Sequence, residues 1–455
     1  MEDTEQFESK LTKISDIAFY SANKRFDERL HSLKIDELSI QDRLLYRRSI
    51  LSGFKEAQKI LVDEILIYQK KRINYKDRIR EKQTLGDKSG VKDSQSKQKI
   101  IERRLFNLSH VADRIAVLML DSQMHIARRL CLGERGKKEL LHSNLKHSLE
   151  EANKINKSPD KFALIADITS FIQIGDLLVD DPSIGLYITE LKEGKVNERI
   201  REFINLTERK HGIPCGKFQL DFSDKEQRQM DRMMRQDTRL RNIEKVVNED
   251  HGIDEVTGLP LFIRTPATTP IYYDNRFVNM FKETREKGYS YRLIEDCIHI
   301  GMYEGELGLR MAPGAIPIIL KNRVSNYILI DYMQITEVLS ETIFAKPLPL
   351  EFLIRLMIGR ARIILALEMD KLIEVFNNNG LASRWLTKRE TAKAKYEFKS
   401  KGIVIINNRA IAIKVDGQTE GILSSGIINK ILFDNILPSS LAKSIVTSYG
   451  PSPER

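Results

Sequence analysis

Three residues near the middle of the chain have the types and spacing that metal chemistry needs. Asp176, Glu190 and Lys192 fall within the stretch IGDLLVDDPSIGLYITELKEGK, residues 174–195. An ionised carboxylate among apolar strand residues is costly unless a cation lies nearby or its pKa shifts. One divalent cation can balance two such carboxylates. The stretch therefore predicts a divalent-metal site with a lysine beside it.

Two short strands must position these side chains. Residues 174–179 and 186–191 are rich in Ile, Leu and Val, and the residues between them include Asp, Pro, Ser and Gly. This composition predicts a β-hairpin. Glu190 and Lys192 are two residues apart, so in an extended strand both point to one face. A plainer interpretation is a Glu190–Lys192 pair at a strand end, with Asp176 in a turn.

The order Asp176, strand turn, Glu190-X-Lys192 resembles the metal core of the PD-(D/E)XK nuclease superfamily. The resemblance covers residues 140–245, and Gly175 stands where the family's motif has proline. It implies a restriction-endonuclease-like αβ core in which Asp176 and Glu190 hold Mg²⁺, with Mn²⁺ able to replace it. Lys192 would then be the catalytic lysine, because its positive charge offsets that of the phosphate.

The same family often takes a third acid from the helix that precedes its strands. Residues 141–156 predict such a helix, and Glu150 or Glu151 occupies the matching place. We take Glu151 as the third metal ligand that the resemblance implies. Asp167 is a further candidate if the segment around it turns inward. Exposed acids on a polar helix face are an equally consistent interpretation.

A second helix, beginning at Ser223, carries a row of basic residues. Glu226 follows Ser223 by three residues and completes a capping box. Arginines then recur at steps of four, three and four, which places them on one helical stripe. The predicted nucleic-acid-binding residues are Arg228, Arg232, Arg235, Gln236 and Arg239. A phosphate backbone supplies the anions that aligned guanidinium groups need. Ion pairs with Glu226 and Asp231 give the alternative of a solvated helix.

The N-terminal region, residues 1–139, is predicted to be helical because apolar residues recur at helical spacing from Asp42 to Lys82. Residues 68–82 hold seven basic residues against two acidic ones, interleaved with Tyr68 and Tyr75. Such a surface can track phosphates. With the tyrosines packed inward it is a solvated helix end, which is the simpler interpretation. Residues 84–98 have almost no large apolar side chain and predict a mobile loop.

The C-terminal region, residues 251–455, predicts a separate α/β unit whose role is open. Helices are expected over residues 275–287, 291–301 and 350–376. A strand is expected over residues 327–331, and a hairpin over residues 402–417.

Composition narrows the class of protein. The 455 residues carry a net charge of +10, with a pI near 9.2. This charge favours a polyanionic partner, and nucleic acid fits better than a membrane. Three distant cysteines without CxxC spacing support neither a disulfide framework nor a zinc ribbon. The N-terminus is acidic and lacks an apolar signal region, so a cytoplasmic protein is predicted. The chain contains neither a GxxxxGK[ST] phosphate loop nor a Ser-His-Asp pattern.

Together these patterns predict a multidomain α/β protein. Its regions are a helical part over residues 1–139, a nuclease-like core over 140–250 and an α/β part over 251–455. The predicted activity is Mg²⁺-dependent hydrolysis of phosphodiester bonds in DNA, with a bacterial or mobile-element defence role by analogy. The alternative is a nuclease-derived nucleic-acid-binding or assembly subunit that does not cut. Either role is compatible with a homo-oligomer or a partner protein.

Overall fold

The structure is a computed structural model in which helices and antiparallel sheets both contribute, as predicted. It describes residues 4–20, 39–131, 140–142, 144–191, 223–249, 251–253, 260–262, 268–321, 326–333, 343–397 and 402–449. The chain divides into two compact units. The first unit is Lys13–Ile263, and the second unit is Met1–Thr12 with Arg264–Arg455. The predicted division at residues 139 and 250 stays a prediction.

The N-terminal region is helical, and a small sheet follows it. The elements up to residue 263 are α1 Thr4–Phe19, α2 Ile40–Thr84, α3 Lys88–Met119, α4 Met124–Arg129, α5 Leu145–Asn156, β1 Phe162–Ile165, β2 Leu177–Asp181, β3 Gly185–Thr189, α6 Asp224–Glu249, β4 His251–Ile253 and β5 Pro260–Phe262.

The two longest helices, α2 and α3, are separated only by the residues between Thr84 and Lys88. Asp87 starts α3 because its Oδ1 accepts the N–H of Gly90 at 2.8 Å. The loop predicted over residues 84–98 is therefore wrong from residue 88 onward. This end of α3 packs through small side chains such as Ser94, which is buried, so it needs few large apolar residues.

Strands β1, β2 and β3 form one antiparallel sheet in that order. The hairpin of β2 and β3 confirms the predicted one, although β2 begins at Leu177 and β3 ends at Thr189. Its register pairs Leu177 with Thr189 and Asp181 with Gly185. All four residues of β1 are buried. The first strand of the hairpin thus lies at the centre of the sheet.

Side chains from two helices cover the outer edge of β1. Gln58 on α2 is buried; its Nε2 donates to the Ala163 carbonyl at 3.0 Å, and its Oε1 accepts the Ile165 N–H at 2.9 Å. Asn156, the last residue of α5, accepts the Ala163 N–H at 2.8 Å. A strand edge otherwise presents unpaired backbone groups. Two side-chain amides thus take the place of a further strand and fix the sheet against α2 and α5.

The second unit also mixes helices and sheets. Its elements from residue 264 are α7 Asn275–Lys287, β6 Tyr289–Ile294, β7 Ile298–Glu304, α8 Gly305–Met311, α9 Ala315–Leu320, β8 Tyr327–Asp331, α10 Leu350–Ile358, β9 Ala361–Glu368, α11 Met369–Asn378, β10 Ala382–Trp385, α12 Lys388–Glu397, β11 Ile411–Lys414, β12 Gly421–Ile422, α13 Ser425–Leu432 and α14 Pro438–Tyr449. One sheet has the order β6-β7-β9-β8 and another the order β10-β11-β12.

Several predictions for this region are confirmed and others are wrong. Helix α7 and strand β8 have the predicted bounds. The helix predicted over residues 291–301 is wrong, because these residues belong to β6, β7 and the turn between them. The helix predicted over residues 350–376 is interrupted by β9. Among the described helices of both units, none is long and apolar enough to cross a membrane.

Candidate active site

The open end of the β2–β3 hairpin brings Asp176 and Glu190 together. Asp176 directly precedes β2 and Glu190 directly follows β3, so both lie just beyond the Leu177–Thr189 pair. The Asp176 N–H donates to the Thr189 carbonyl at 2.8 Å, and Asp176 Oδ2 accepts the Leu191 N–H at 2.6 Å. Asp176 is therefore bonded to both chain neighbours of Glu190. The paired register ends at Leu177–Thr189, so the backbone places both acids at one end of the hairpin, an arrangement that suits shared ligation of one cation.

The residue that follows β1 holds the backbone of Asp176 from the side opposite to β3. The Asp176 carbonyl accepts the Ala166 N–H at 2.9 Å, so its backbone is held by residues next to both β1 and β3. Asp176 and Glu190 are half-buried. Asp167, which follows Ala166 directly, is half-buried in the short 3-10 helix Ala166–Ile168. The backbone thus brings Asp167 to the same end of the sheet as Asp176.

Gly175, directly before Asp176, has a backbone conformation that a proline could not adopt. Its φ is +70°, a left-handed value that proline, fixed near −65°, cannot adopt. A Cβ at this position would lie 2.3 Å from Ile188 Cγ2 and 3.0 Å from the Thr189 carbonyl oxygen. The bare glycine therefore lets the chain pass close to β3 and lead into Asp176.

The structure gives less information on the other predicted metal and catalytic residues, Lys192 and Glu151. Lys192 lies outside the described residues. Glu151 on α5 has its Oε1 2.5 Å from Lys154 Nζ, and this pair raises the pKa of the lysine. Across the described ranges, no three His, Cys, Asp or Glu side chains are grouped as metal ligands. Glu151 therefore stays a predicted ligand, while Asp176 and Glu190 are the acids that the hairpin brings together.

Helix α6 carries the predicted nucleic-acid-binding residues. The capping box at its start is confirmed, because Glu226 Oε2 accepts the N–H of Ser223 at 2.9 Å and its hydroxyl at 2.8 Å. Met230 and Met233 are buried, whereas Arg228 and Arg235 are exposed. At 100° per residue, the two exposed arginines share a stripe that lies opposite the two methionines.

The remaining members of the stripe belong to the same helix. The backbone of Arg232, Gln236 and Arg239 is helical, and their side chains lie outside what the structure describes. At the far end of α6, Asn242 fixes β4, since its Oδ1 accepts the Ile253 N–H at 3.0 Å and its Nδ2 donates to the Ile253 carbonyl at 2.7 Å. The helix is thus held at its end while Arg228 and Arg235 face solvent.

Comparison with known proteins found no match among family models, curated proteins or solved structures. Any function proposed for the chain therefore depends on the geometry of its own residues.

Sequence reasoning missed the polar side chains that hold the site's sheet in place. Gln58 lies on the stripe Leu51, Phe54, Leu61 and Ile65, with successive steps of three or four residues, and all four apolar neighbours are buried. A polar residue on such a stripe is a detectable signal, because buried polar groups are nearly always hydrogen-bonded. The sequence does not, however, tell which backbone groups Gln58 binds.

Asp181, at the end of β2, is held by two neighbours. Its Oδ2 lies 2.6 Å from Lys161 Nζ, and its Oδ1 accepts the Ser183 hydroxyl at 2.7 Å and the Ser183 N–H at 3.0 Å. Lys161 first and Ser183 second lower the pKa of the Asp181 carboxyl to about 2, from an ordinary value of 3.8. Because the pKa is lower in the folded state, this stabilisation is complete above 3.8 and is lost as the pH falls towards 2.

The Asp181→Asn variant should therefore be less stable than the wild type at neutral pH and less sensitive to acid. We expect its free energy of unfolding to fall less than that of the wild type between about pH 5 and about pH 3. Urea denaturation at both pH values measures this difference. Asp416→Asn, at an exposed position, is the control and should follow the wild type. Parallel pH curves for wild type and Asp181→Asn would contradict the prediction.

Proposed function

We propose that the chain is a cytoplasmic, metal-dependent nuclease that hydrolyses phosphodiester bonds in DNA, with Mg²⁺ as cofactor and Mn²⁺ as a substitute. The observation that carries the proposal is the pair of hydrogen bonds that tie Asp176 to Thr189 and Leu191, on either side of Glu190. The order α5, β1, β2, β3 also agrees with the helix-then-strands order of the PD-(D/E)XK superfamily. We therefore propose the restriction-endonuclease-like core for residues 140–250.

The donor set suits the proposed cofactor. Mg²⁺ prefers oxygen ligands and is commonly held by one or two carboxylates together with water and substrate oxygens. Asp176 Oδ2 accepts the Leu191 N–H, and an ionised carboxylate offers about four acceptor sites over its two oxygens, more than this one bond uses. When bound, the ion would favour deprotonation of a water and offset the charge that builds on the phosphate.

The other residues of the chain would bind and orient the substrate. Lys192, two residues after Glu190, would bring a mobile positive charge to the attacked phosphate. Arg228 and Arg235, exposed on α6, would bind phosphates that flank the cleaved bond. We propose the same role for Arg232, Gln236 and Arg239 from their positions along α6.

A second candidate function is a nucleic-acid-binding or assembly subunit that does not cut. The bond between Asp176 Oδ2 and the Leu191 N–H favours it, because this bond can hold the hairpin together without a metal. Titration calorimetry separates the two candidates. A nuclease site should bind Mg²⁺ or Mn²⁺ and lose this binding in Glu190→Ala, whereas a purely structural carboxylate pair should show no heat of metal binding in either protein.

The direct test of the proposed activity is cleavage of plasmid and linear DNA by the purified full chain. We expect cleavage with Mg²⁺ or Mn²⁺ and none once a chelator is added. An RNA substrate run in parallel identifies the nucleic acid that is preferred. Cleavage that persists in chelator would contradict the proposal, as would a complete lack of cleavage with both ions.

A further inference from the structure

The positive charge of the chain is concentrated where α2 ends and α3 begins. We define the distal arm as residues 70–103, which contain twelve Lys and Arg against five Asp and Glu, a net charge of +7. The full chain has a net charge of +10. Less than a tenth of the sequence thus carries most of the excess positive charge.

The distal arm extends away from the sheet that positions the candidate site. Its base is fixed by Gln58, bonded to β1, and by Gln69, whose Oε1 accepts the Leu141 N–H at 3.2 Å. Leu85, in the turn at the tip, is 73% exposed and lies 27 residues beyond Gln58. At 1.5 Å per helical residue, the tip is about 40 Å along α2 from Gln58.

Ion pairs within the distal arm cannot neutralise it. Lys82 lies 2.9 Å from Asp87, Lys97 lies 2.7 Å from Asp93, and these pairs use acids of the arm itself. Since the arm has five acids and twelve bases, at least seven cations remain after every acid is paired. Like charges at this density repel each other unless further anions, from other parts of the chain or from a partner, lie against them.

One face of α3 presents these cations in a line. Lys88, Lys92 and Lys99 are exposed and lie four and seven residues apart, within 40° of each other around the helix. Ser94 and Ile101 are buried on the opposite side. The line spans about 16 Å, and duplex DNA carries one phosphate charge per about 1.7 Å of its axis, so several phosphates can face it.

Tyr68, which directly precedes the base of the distal arm, is not available for stacking on bases. Tyr68 is fully buried, with Lys71 Nζ 4.8 Å and the Arg104 guanidinium 5.7 Å from the centre of its ring. The inward-packed interpretation is thus confirmed for Tyr68. Charge, which does not distinguish sequences, is therefore the main feature that the arm offers to a partner.

We infer that the distal arm binds the phosphate backbone of double-stranded DNA, independently of sequence, as a second anchor remote from the candidate site. The inference takes its choice of ligand from the proposed function. A membrane surface is less suitable, because binding in a lipid interface needs a broad apolar face and the exposed face of α3 is polar and basic.

The test compares two triple variants of the full chain with the same change in net charge. The arm variant is Lys88→Glu with Lys92→Glu and Lys99→Glu. The control variant is Lys282→Glu with Lys414→Glu and Lys443→Glu, three exposed lysines of the second unit. Binding to a labelled duplex of about 30 base pairs is measured by fluorescence anisotropy in chelator, from about 50 to about 200 mM salt.

We expect the arm variant to bind at least about tenfold more weakly, with a salt slope reduced by about three, because three phosphate contacts are lost. The control variant should stay within about threefold of the wild type. Equal weakening of both variants would overturn the inference, as would an unchanged slope for the arm variant or tighter binding of the wild type to anionic vesicles than to the duplex. A Lys→Gln triple at the arm positions, with circular dichroism of every protein, separates lost contacts from lost folding.

The same proteins separate this inference from the proposed nuclease function. Arm-dependent binding by a wild type that never cleaves DNA would refute the nuclease and leave the arm established. Normal cleavage, combined with duplex binding that the arm variant does not change, would refute the arm alone.

Discussion

Glu190→Gln is expected to slow DNA cleavage severely while the fold persists. The change removes one of the two negative charges that would hold Mg²⁺, and the glutamine keeps nearly the same shape. Metal assistance contributes several kcal/mol to such reactions, and each 1.4 kcal/mol corresponds to a factor of ten in rate. We therefore expect cleavage to slow on the order of 10³-fold, measured as initial rates on a linear duplex with saturating Mg²⁺.

Asp176→Asn separates the structural role of Asp176 from its proposed metal role. The amide oxygen of asparagine can still accept the Leu191 N–H, so the hairpin should keep its stability while the site loses a charge. Asp180→Asn is the matched control, because Asp180 lies on the same hairpin and pairs with Arg47 at 2.6 Å. It should cleave at nearly the wild-type rate. Wild-type activity in both Asp176→Asn and Glu190→Gln would refute the site, as would an equal loss in Asp180→Asn.

The hairpin of the candidate site could be predicted because its determinants are local. Pro182, Ser183 and Gly185 mark the turn, and apolar residues mark both strands, so the pairing that brings Asp176 to Glu190 follows from a short stretch of sequence. The left-handed conformation of Gly175 could not be predicted in the same way. It depends on the close passage of Ile188, which the sequence does not encode as a motif.

The two incorrect helix predictions in the C-terminal region have identifiable physical causes. The turn between β6 and β7 places Glu295 and Asp296 at positive φ, although neither is the glycine or asparagine that usually marks such turns. Residues 363–367 form a short, wholly apolar run, and such a run does not distinguish a buried helix from the buried strand β9. Gly359, at φ +83°, ends the helix before that strand. Glycine in this conformation commonly ends a helix, so Gly359 was the residue from which the end of the helix could have been predicted.

Contacts between distant parts of the chain were the least predictable features, and Gln58 is the clearest example. Its amide joins α2 to residues more than one hundred positions later in the sequence, Ala163 and Ile165. A sheet of three strands has little pairing of its own, so the position of β1 depends on this side chain and on Asn156. Because β1 pairs with β2, the placement of Asp176 depends on the same contact.

Gln58→Leu should therefore destabilise the first unit and loosen the candidate site. Leucine fills a similar volume but cannot accept the Ile165 N–H, and a buried unsatisfied group costs about 1 to 3 kcal/mol. We expect the free energy of unfolding to fall by about 2 kcal/mol, measured by urea denaturation. Hydrogen exchange at the Ile165 amide should accelerate, whereas exchange in the second unit should stay unchanged.

Gln83→Leu supplies the matched control, because Gln83 lies on the same helix and is exposed. Substitutions at such surface positions usually change stability by no more than about 0.5 kcal/mol. If both variants lose the same stability, the effect comes from leucine on α2 and not from the edge of β1. If Gln58→Leu keeps slow exchange at Ile165, the amide contact does not hold β1. The carboxylates of the hairpin would then owe their position to the β2–β3 pairing alone.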